Sequence, residues 1–357
     1  MSYRRVFTAI VAALTVTAMS SQVTQAQSTE VVYTQTSPAP NVASAPHSSI
    51  PAALGFWKDA GLTVENNSAS GSTLAVQLTN AGTSHFTMAT VEPLIVAKQK
   101  GGDIVAVYNH TREPIYTIAV PASSDIKSIE QLKGKRIGVS SLSSGGVPFA
   151  KAMLNGAGIN PDSDVTFLPI GLGAQAIQAI KTNKVDALAY WDWAYAQVEN
   201  AGIGVRHFTS AKTNNLLSLA LVANGDFVRK NPEIAVKLAQ GIAKASLFTL
   251  TNPEAAVRIH WKHYPSSKPT GIPEEQALKE AVHLLKSRLP KYDIKGREVE
   301  KWGYFTEAQW KDTQDFLHTN GVIKEKLDIS KYYNNDLIDK INDFDADKII
   351  EQAKNYK

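Results

Sequence analysis

Short β-branched runs alternate with stretches of helical period along most of this chain, and that alternation limits the possible folds more than any other feature. Val31–Thr36, Leu62–Val64, His85–Thr90 and Ile104–Tyr108 read as strands. Between them Ile50–Lys58, Ser72–Ala81 and Pro93–Lys100 read as helices, the first closed off by Gly61. The polar, proline-broken stretch Gln35–Ser49 reads as a connection. A second set begins after Pro114, with strands at Arg136–Ser140, Val165–Pro169 and Ala187–Trp191 and helices at Val147–Asn155 and Gln175–Lys181. Leu216–Ala223 reads as a strand returning to the first set. From Asn231 the chain is helical: Pro232–Thr251, Pro253–His263, Pro273–Ser287 and Thr306–His318, three of them opening on proline. The polar tail Asp328–Lys357 reads as peripheral helix and coil. The rhythm predicts an α/β fold whose sheets are mostly parallel and covered by helices on both sides.

A chain of 357 residues suits about two domains, and 43% hydrophobic with 20% charged residues excludes a disordered polymer or a membrane bundle. The formal charge of +4 is spread thinly, so nucleic acid is not an expected partner. There is no cysteine, which removes disulfides, thiol nucleophiles, iron–sulfur clusters and cysteine-ligated zinc together. No metal or other cofactor is expected.

The first 26 residues carry the marks of an export signal. Arg4 and Arg5 precede the apolar stretch Val6–Ala18, and Thr24-Gln25-Ala26 places small residues where a signal peptidase reads them. Removing this segment leaves 35 basic and 33 acidic residues, a net charge of +2. A lipid anchor needs a cysteine after the signal, so the mature protein is expected to be soluble, unlipidated and periplasmic.

Catalytic motifs are incomplete. Ser124 and Lys127 fit S-x-x-K without its companion motifs, and no G-x-S-x-G occurs. His260 and His263 lack an H-E-x-x-H context and read as part of a surface helix. Gly171-Leu172-Gly173 has Ala176 where a dinucleotide loop would place its third glycine, so it reads as a cleft-lining turn leading to Gln175. Two other strand-to-helix loops present helix amides to a ligand. Gly71-Ser72-Thr73 offers an open backbone and two hydroxyls. Ser143-Ser144-Gly145-Gly146 combines serine donors with glycines that let an anion approach the amides closely.

The phrase Ile50-Pro51-Ala52-Ala53-Leu54-Gly55-Phe56-Trp57-Lys58-Asp59-Ala60-Gly61-Leu62 resembles the opening of substrate-binding proteins of the nitrate/sulfonate/taurine importer family. Gly71-Ser72-Thr73, Leu132-Lys133-Gly134-Lys135-Arg136-Ile137-Gly138-Val139, Ser144-Gly145-Gly146, Lys184-Val185-Asp186-Ala187 and Asn231-Pro232-Glu233 follow in the family's order, covering about Val31–Leu327. The resemblance implies a two-lobed periplasmic binding protein fold of type II, hinged by two crossing segments. Lobe one would be 27–114 plus 216–357 and lobe two 115–215. It also implies a monomer that hands a small molecule to the permease subunits of an ABC importer. Trp191 and Asp192 match the family's cleft position, as a stacking wall and an acidic hydrogen-bonding group. Thr36, Ser37, Thr90 and Glu92 fall where cleft residues of lobe one would lie, and Tyr116 flanks the first crossing. Tyr108 and His110 flank it too, His110 reading as a solvated loop residue.

A carboxylate beside aromatic walls suits a planar aromatic or nitrogen-bearing solute, ahead of a sulfonate or carboxylate. The alternative is a periplasmic hydrolase or pyrimidine-synthase-like enzyme on the same scaffold, although the cysteine-rich site of the fungal synthases has no counterpart. The export reading predicts a mature N-terminus at Gln27 and recovery in an osmotic-shock fraction. An intact mass that still includes Met1–Ala26 would refute it.

Overall fold

The computed structural model of the chain describes residues 28–209, 213 and 215–356, so the expected signal segment 1–26 lies outside the described residues. The strands are β1 (Thr29–Gln35), β2 (Leu62–Ser68), β3 (Phe86–Thr90), β4 (Ile104–Asn109), β5 (Tyr116–Pro121), β6 (Arg136–Val139), β7 (Thr166–Pro169), β8 (Ala187–Trp191), β9 (Val205–Phe208) and β10 (Leu219–Asn224). They form two sheets of five, ordered β2-β1-β3-β10-β4 and β7-β6-β8-β5-β9. In the first only β10 runs against its neighbours, and in the second only β5. The expected α/β architecture of two mostly parallel, helix-covered sheets is thus present.

The first sheet carries the helices α1 (Ser49–Ala53), α2 (Phe56–Asp59), α3 (Ser72–Asn80) and α4 (Val91–Gln99); the second carries α5 (Gly146–Gly156), α6 (Ala174–Lys181) and α7 (Asp192–Asn200). After β10 come α8 (Gly225–Lys230), α9 (Pro232–Thr251), α10 (Pro253–His263), α11 (Glu274–Tyr292), α12 (Glu307–Thr319), α13 (Ile338–Ile341) and α14 (Ala346–Lys354). The expected helix Ile50–Lys58 is two short helices, because Gly55 takes φ 78° between them. Gln35–Ser49 is not a plain loop: Val42–His47 is a buried 3₁₀ turn packed against α9, α10 and α11. Nor is the tail simply peripheral, since Tyr332 and Ile341 are fully buried and Tyr333 bridges to Ala106 of β4.

The chain leaves the first sheet between β4 and β5 and returns between β9 and β10. These crossings lie side by side, tied by His110 N–H to Leu219 O (2.9 Å), Leu219 N–H to Thr111 Oγ1 (2.8 Å) and Ile115 N–H to Ser218 Oγ (3.2 Å). They set the two sheets edge to edge with the carboxyl ends of their parallel strands facing a common crevice.

Trp57 anchors α2 against α9, its indole N–H donating to Leu238 O at 3.1 Å while it stays buried. Gly241 makes this possible: a Cβ there would lie 2.5 Å from Trp57 Cδ1. Helix propensity alone would make Gly241→Ala a gain of up to about 1 kcal/mol. Overpacking against the indole costs about 1–3 kcal/mol, so net destabilisation is expected in urea unfolding. A stabilised variant would show that the indole gives way freely.

Candidate functional site

Between the sheets lies a narrow cavity, with about 50 Å³ available to the centres of water-sized groups. The first lobe contributes Thr36 and Ser37 after β1, Asn41, Ser44 and His47 from the 3₁₀ turn, and Gly71 and Ser72 at the start of α3. The second contributes Tyr116 from β5, Ser140 and Ser144 after β6, and Trp191 with Trp193 at the β8–α7 junction. Arg288 reaches in from α11. Among the described residues no Asp or Glu lines the cavity.

The central feature is an ion pair that sequence reasoning did not find. Arg288 donates from Nε to Asp192 Oδ2 at 2.6 Å and from one terminal nitrogen, Nη2, to Asp192 Oδ1 at 2.5 Å. The two side chains are 3% and 8% exposed. Asp192 opens α7, and its Oδ1 also accepts the Trp193 N–H at 2.7 Å, so helix amides and a guanidinium both serve one carboxylate. The expectation that Asp192 offers an acceptor to the ligand is corrected: its charge is already answered by Arg288. That removes the reason to favour a nitrogen-bearing ligand. The other terminal nitrogen of Arg288, Nη1, has no hydrogen-bond partner among the described residues, and the residue faces the cavity. The signal for Arg288 was absent locally, since it lies on a polar helix 96 residues from its partner.

Around the pair sits a buried, uncharged aromatic cluster. His47 Nδ1 and the Tyr33 hydroxyl share a 2.8 Å hydrogen bond, and burial with the Arg288 charge holds His47 down at about 3. His110 is not the solvated loop residue expected. It is buried, stacks on Tyr292 with centroids 5.2 Å apart, and burial lowers its pKa well below the ordinary range. Trp191 meets Tyr116 edge-on at 5.9 Å, forming the aromatic wall.

The two glycine–serine loops meet each other rather than standing apart. Thr73 N–H donates to Ser143 O at 3.1 Å, Ser141 Oγ donates to Ser70 O at 2.5 Å, and Ser143 Oγ also donates to Ser70 O. A Cβ on Gly71 would stand 2.5 Å from Ser143 O, and one on Gly145 would stand 2.2 Å from Thr90 Oγ1. One on Gly146 would stand 2.9 Å from the Tyr116 ring. Gly71 and Gly145 therefore admit the opposite lobe, and Gly146 a ring of its own sheet, where the sequence suggested room for a ligand. Of the expected site residues, Thr36, Ser37, Gly71, Ser72, Tyr116, Ser144 and Trp191 line the cavity. Thr73, Thr90, Glu92, Ser143, Gly145 and Gly146 lie at or beside the seam next to it, while Gln175 is exposed on a separate surface hollow with Lys184.

The weighed catalytic pairs have structural roles. Lys127 Nζ donates to the carbonyl of Ser124, not to its hydroxyl, at 2.7 Å. His260 is not on a surface: it is fully buried, with Nδ1 2.8 Å from Ser49 Oγ.

Breaking a buried ion pair by removing one partner costs about 3–5 kcal/mol, because the other charge is left unanswered. Arg288→Met should therefore destabilise strongly, and Asp192→Leu in the same chain should recover much of the loss. Urea unfolding of the singles and the double would measure it; full additivity would show that the pair is not coupled.

Residues 50–256, more than half of the chain, match the family described as NMT1/THI5 like. A curated relative from Brucella abortus, whose name specifies no more than a binding protein, is 24% identical over 282 residues, 78% of this chain and 83% of that one. The periplasmic aliphatic sulphonate binding protein SsuA of Escherichia coli superposes with a TM-score of 0.60 at 19% identity, covering 85% of this chain and 91% of that one. The desulfurization enzyme DSZB does so with a TM-score of 0.54 at 17% identity, covering 87% and 98%. This chain belongs to the NMT1/THI5-like family and has the fold of the periplasmic binding proteins.

Proposed function

We propose that the protein is the periplasmic substrate-binding component of an ABC importer, closing around a small organic solute that bears a sulfonate or carboxylate and presenting it to a membrane permease. Lobe one is 27–114 with 216–357, and lobe two is 115–215. The observation that carries the reading is the lining of the inter-lobe cavity: among the described residues, Arg288 with an unpartnered Nη1, a set of hydroxyls, aromatic walls and no carboxylate. An unpaired carboxylate would repel an anion in this cleft, and none is among the described lining residues. The narrowness of the cavity favours a compact solute over a large ring system. In this reading Thr36, Ser37, Gly71, Ser72, Ser144 and Arg288 hold the polar end, and Tyr116 and Trp191 cover the organic part. The sulphonate named for SsuA is consistent with it.

Binding rather than catalysis fits His47, the histidine among the described lining residues, which is tied to Tyr33 and held neutral by burial and the Arg288 charge. Among the described residues it hydrogen-bonds to no hydroxyl that lines the cavity.

A thermal-shift screen with short sulfonates, carboxylates, pyrimidines and aromatic acids tests the proposal. A ligand at 100 times its Kd stabilises by about 2.7 kcal/mol, a shift of several degrees. A sulfonate or carboxylate should give it and be recovered unaltered. Gly145→Val should abolish the shift with little loss of stability, because its side chain would collide with Thr90 at the seam. Time-dependent conversion of the solute would overturn the binding reading, and a response confined to pyrimidines would overturn the anion assignment.

A further inference from the structure

One buried acid takes no part in the cavity. Glu92 lies in the first turn of α4, 3% exposed, and its Oε2 has no hydrogen-bond partner. Such an atom carries a desolvation cost if the group is ionised, and little if it is protonated. The opposite lobe packs on its helix, α5 lying against α4. Tyr116 of β5 is close enough for the Glu92 charge to raise its phenol, and Gly145 abuts Thr90, the residue that caps α4. Glu92 thus sits where the two lobes meet.

No cation is supplied to answer it. Among the elements packed on α4, the segments α3, β3 and β10 contain no ionisable residue. From β4 comes Tyr108, whose phenol is near Arg112 and Ser246. From α5 comes Lys151, held by Asp162 at 2.6 Å. From α12 come Lys311, paired with Asp315 at 2.6 Å, Asp312, which accepts from Asn215 at 2.7 Å, and Glu307 with His318. Tyr116 is the group of the second lobe coupled to Glu92.

We propose that Glu92 is a positioning residue that must hold a proton for the second lobe to seat, so that lobe closure, and with it ligand capture, takes up one proton. This rests on the reading of the protein as a two-lobed receptor that closes. Burial raises the Glu92 carboxyl from 4.5 to about 7 in the closed form, against the opposing pull of its own amide and Thr90. In the open form water reaches it and it ionises in the ordinary carboxylate range. A proton is therefore taken up on closure between those two values. Closure is most favoured below the open-form value, weakens as pH rises through about 7, and is level above it. Between pH 5 and pH 8 the closure constant should fall on the order of 50-fold.

The first arm follows the carboxyl itself, with and without ethanesulfonate. Carbon-13 NMR of side-chain-labelled glutamate should show one carboxyl titrating near 7 whenever the lobes are closed, identified by its loss in Glu92→Gln, and moving toward the ordinary range in Gly145→Val. An ordinary Glu92 titration in a chain that energy transfer between the lobes reports as closed, or a raised one that persists in Gly145→Val, would overturn the proposal.

The second arm uses the absence of native cysteines. Exposed Asn67 and Gln178, one on each lobe, are changed to cysteine and labelled for single-molecule energy transfer. With ethanesulfonate as probe, the closed fraction should fall between pH 5 and pH 8, and stay constant and high in Glu92→Gln. A pH-dependent fall that survives Glu92→Gln would assign the proton elsewhere and refute the idea. Should ethanesulfonate fail to close the lobes while the NMR titration holds, the anion assignment fails and the proton-holding role of Glu92 stands.

Discussion

The ion pair between Arg288 and Asp192 governs the chemistry of the space between the lobes. Two charges nearly removed from water are tolerable only when each answers the other and spare hydrogen-bonding positions are filled. Asp192 meets this condition through the guanidinium and the first amide of α7. Arg288 meets it with Nε and Nη2, which leaves Nη1 beside the cavity. The imidazoles and phenols packed nearby are correspondingly neutral. His47 and His110 are kept unprotonated by burial and by the positive charge of Arg288 itself, and Tyr33 and Tyr292 keep their phenol protons for the same reason of burial. A histidinium at either position would compete with Arg288 for one carboxylate in a medium that screens poorly.

The pair also explains why the two ends of the inter-lobe contact differ in strength. Along α11, Arg288 meets Asp192 and His283 Nδ1 lies 2.8 Å from Asn200 Oδ1. This seam includes a buried ion pair, in which leaving either charge buried without its partner costs about 3–5 kcal/mol. The other seam is made of serine hydroxyls and backbone carbonyls at Ser70, Ser141 and Ser143, each net contact worth about 0.5–1.5 kcal/mol and readily replaced by water. A lobe movement of the kind proposed would part at the serines and turn about α7 and α11.

Most of the fold was legible because the parallel strands and the helices that follow them are local patterns. Ala187–Trp191 and the helices Pro232–Thr251 and Pro253–His263 were read with the boundaries the structure has. Among the elements that escaped, β5 and β9 are the antiparallel partner and the edge strand beside it, whose roles are set by pairing and not by period, while α7 and α8 follow their strands with no turn residue between. Tyr116↔Trp191 is a pairing across 75 residues, invisible to any local window. Expected burial failed where polarity misled: Gln35–Ser49 and the C-terminal tail are polar in composition yet send Ala45 and Tyr332 fully into the core.

The candidate site was half legible for a related reason. Serine and glycine at strand-to-helix turns mark a place where something must come close, and Gly71 and Gly145 do sit at such places. The sequence does not say what comes close. Here it is the other lobe: Ser143 against Gly71, Thr90 and Ser72 against Gly145. A glycine that admits an opposing backbone and one that admits a ligand oxygen satisfy the same steric condition, so only the three-dimensional arrangement separates them. The same holds for charge. Asp192 alone, read beside Trp191, is an acceptor waiting for a donor; read beside Arg288 it is spent, and the charged group left lining the cavity is a cation. The sign of the site turns on a residue with no local motif, supplied by a helix that the chain reaches only after both sheets are complete.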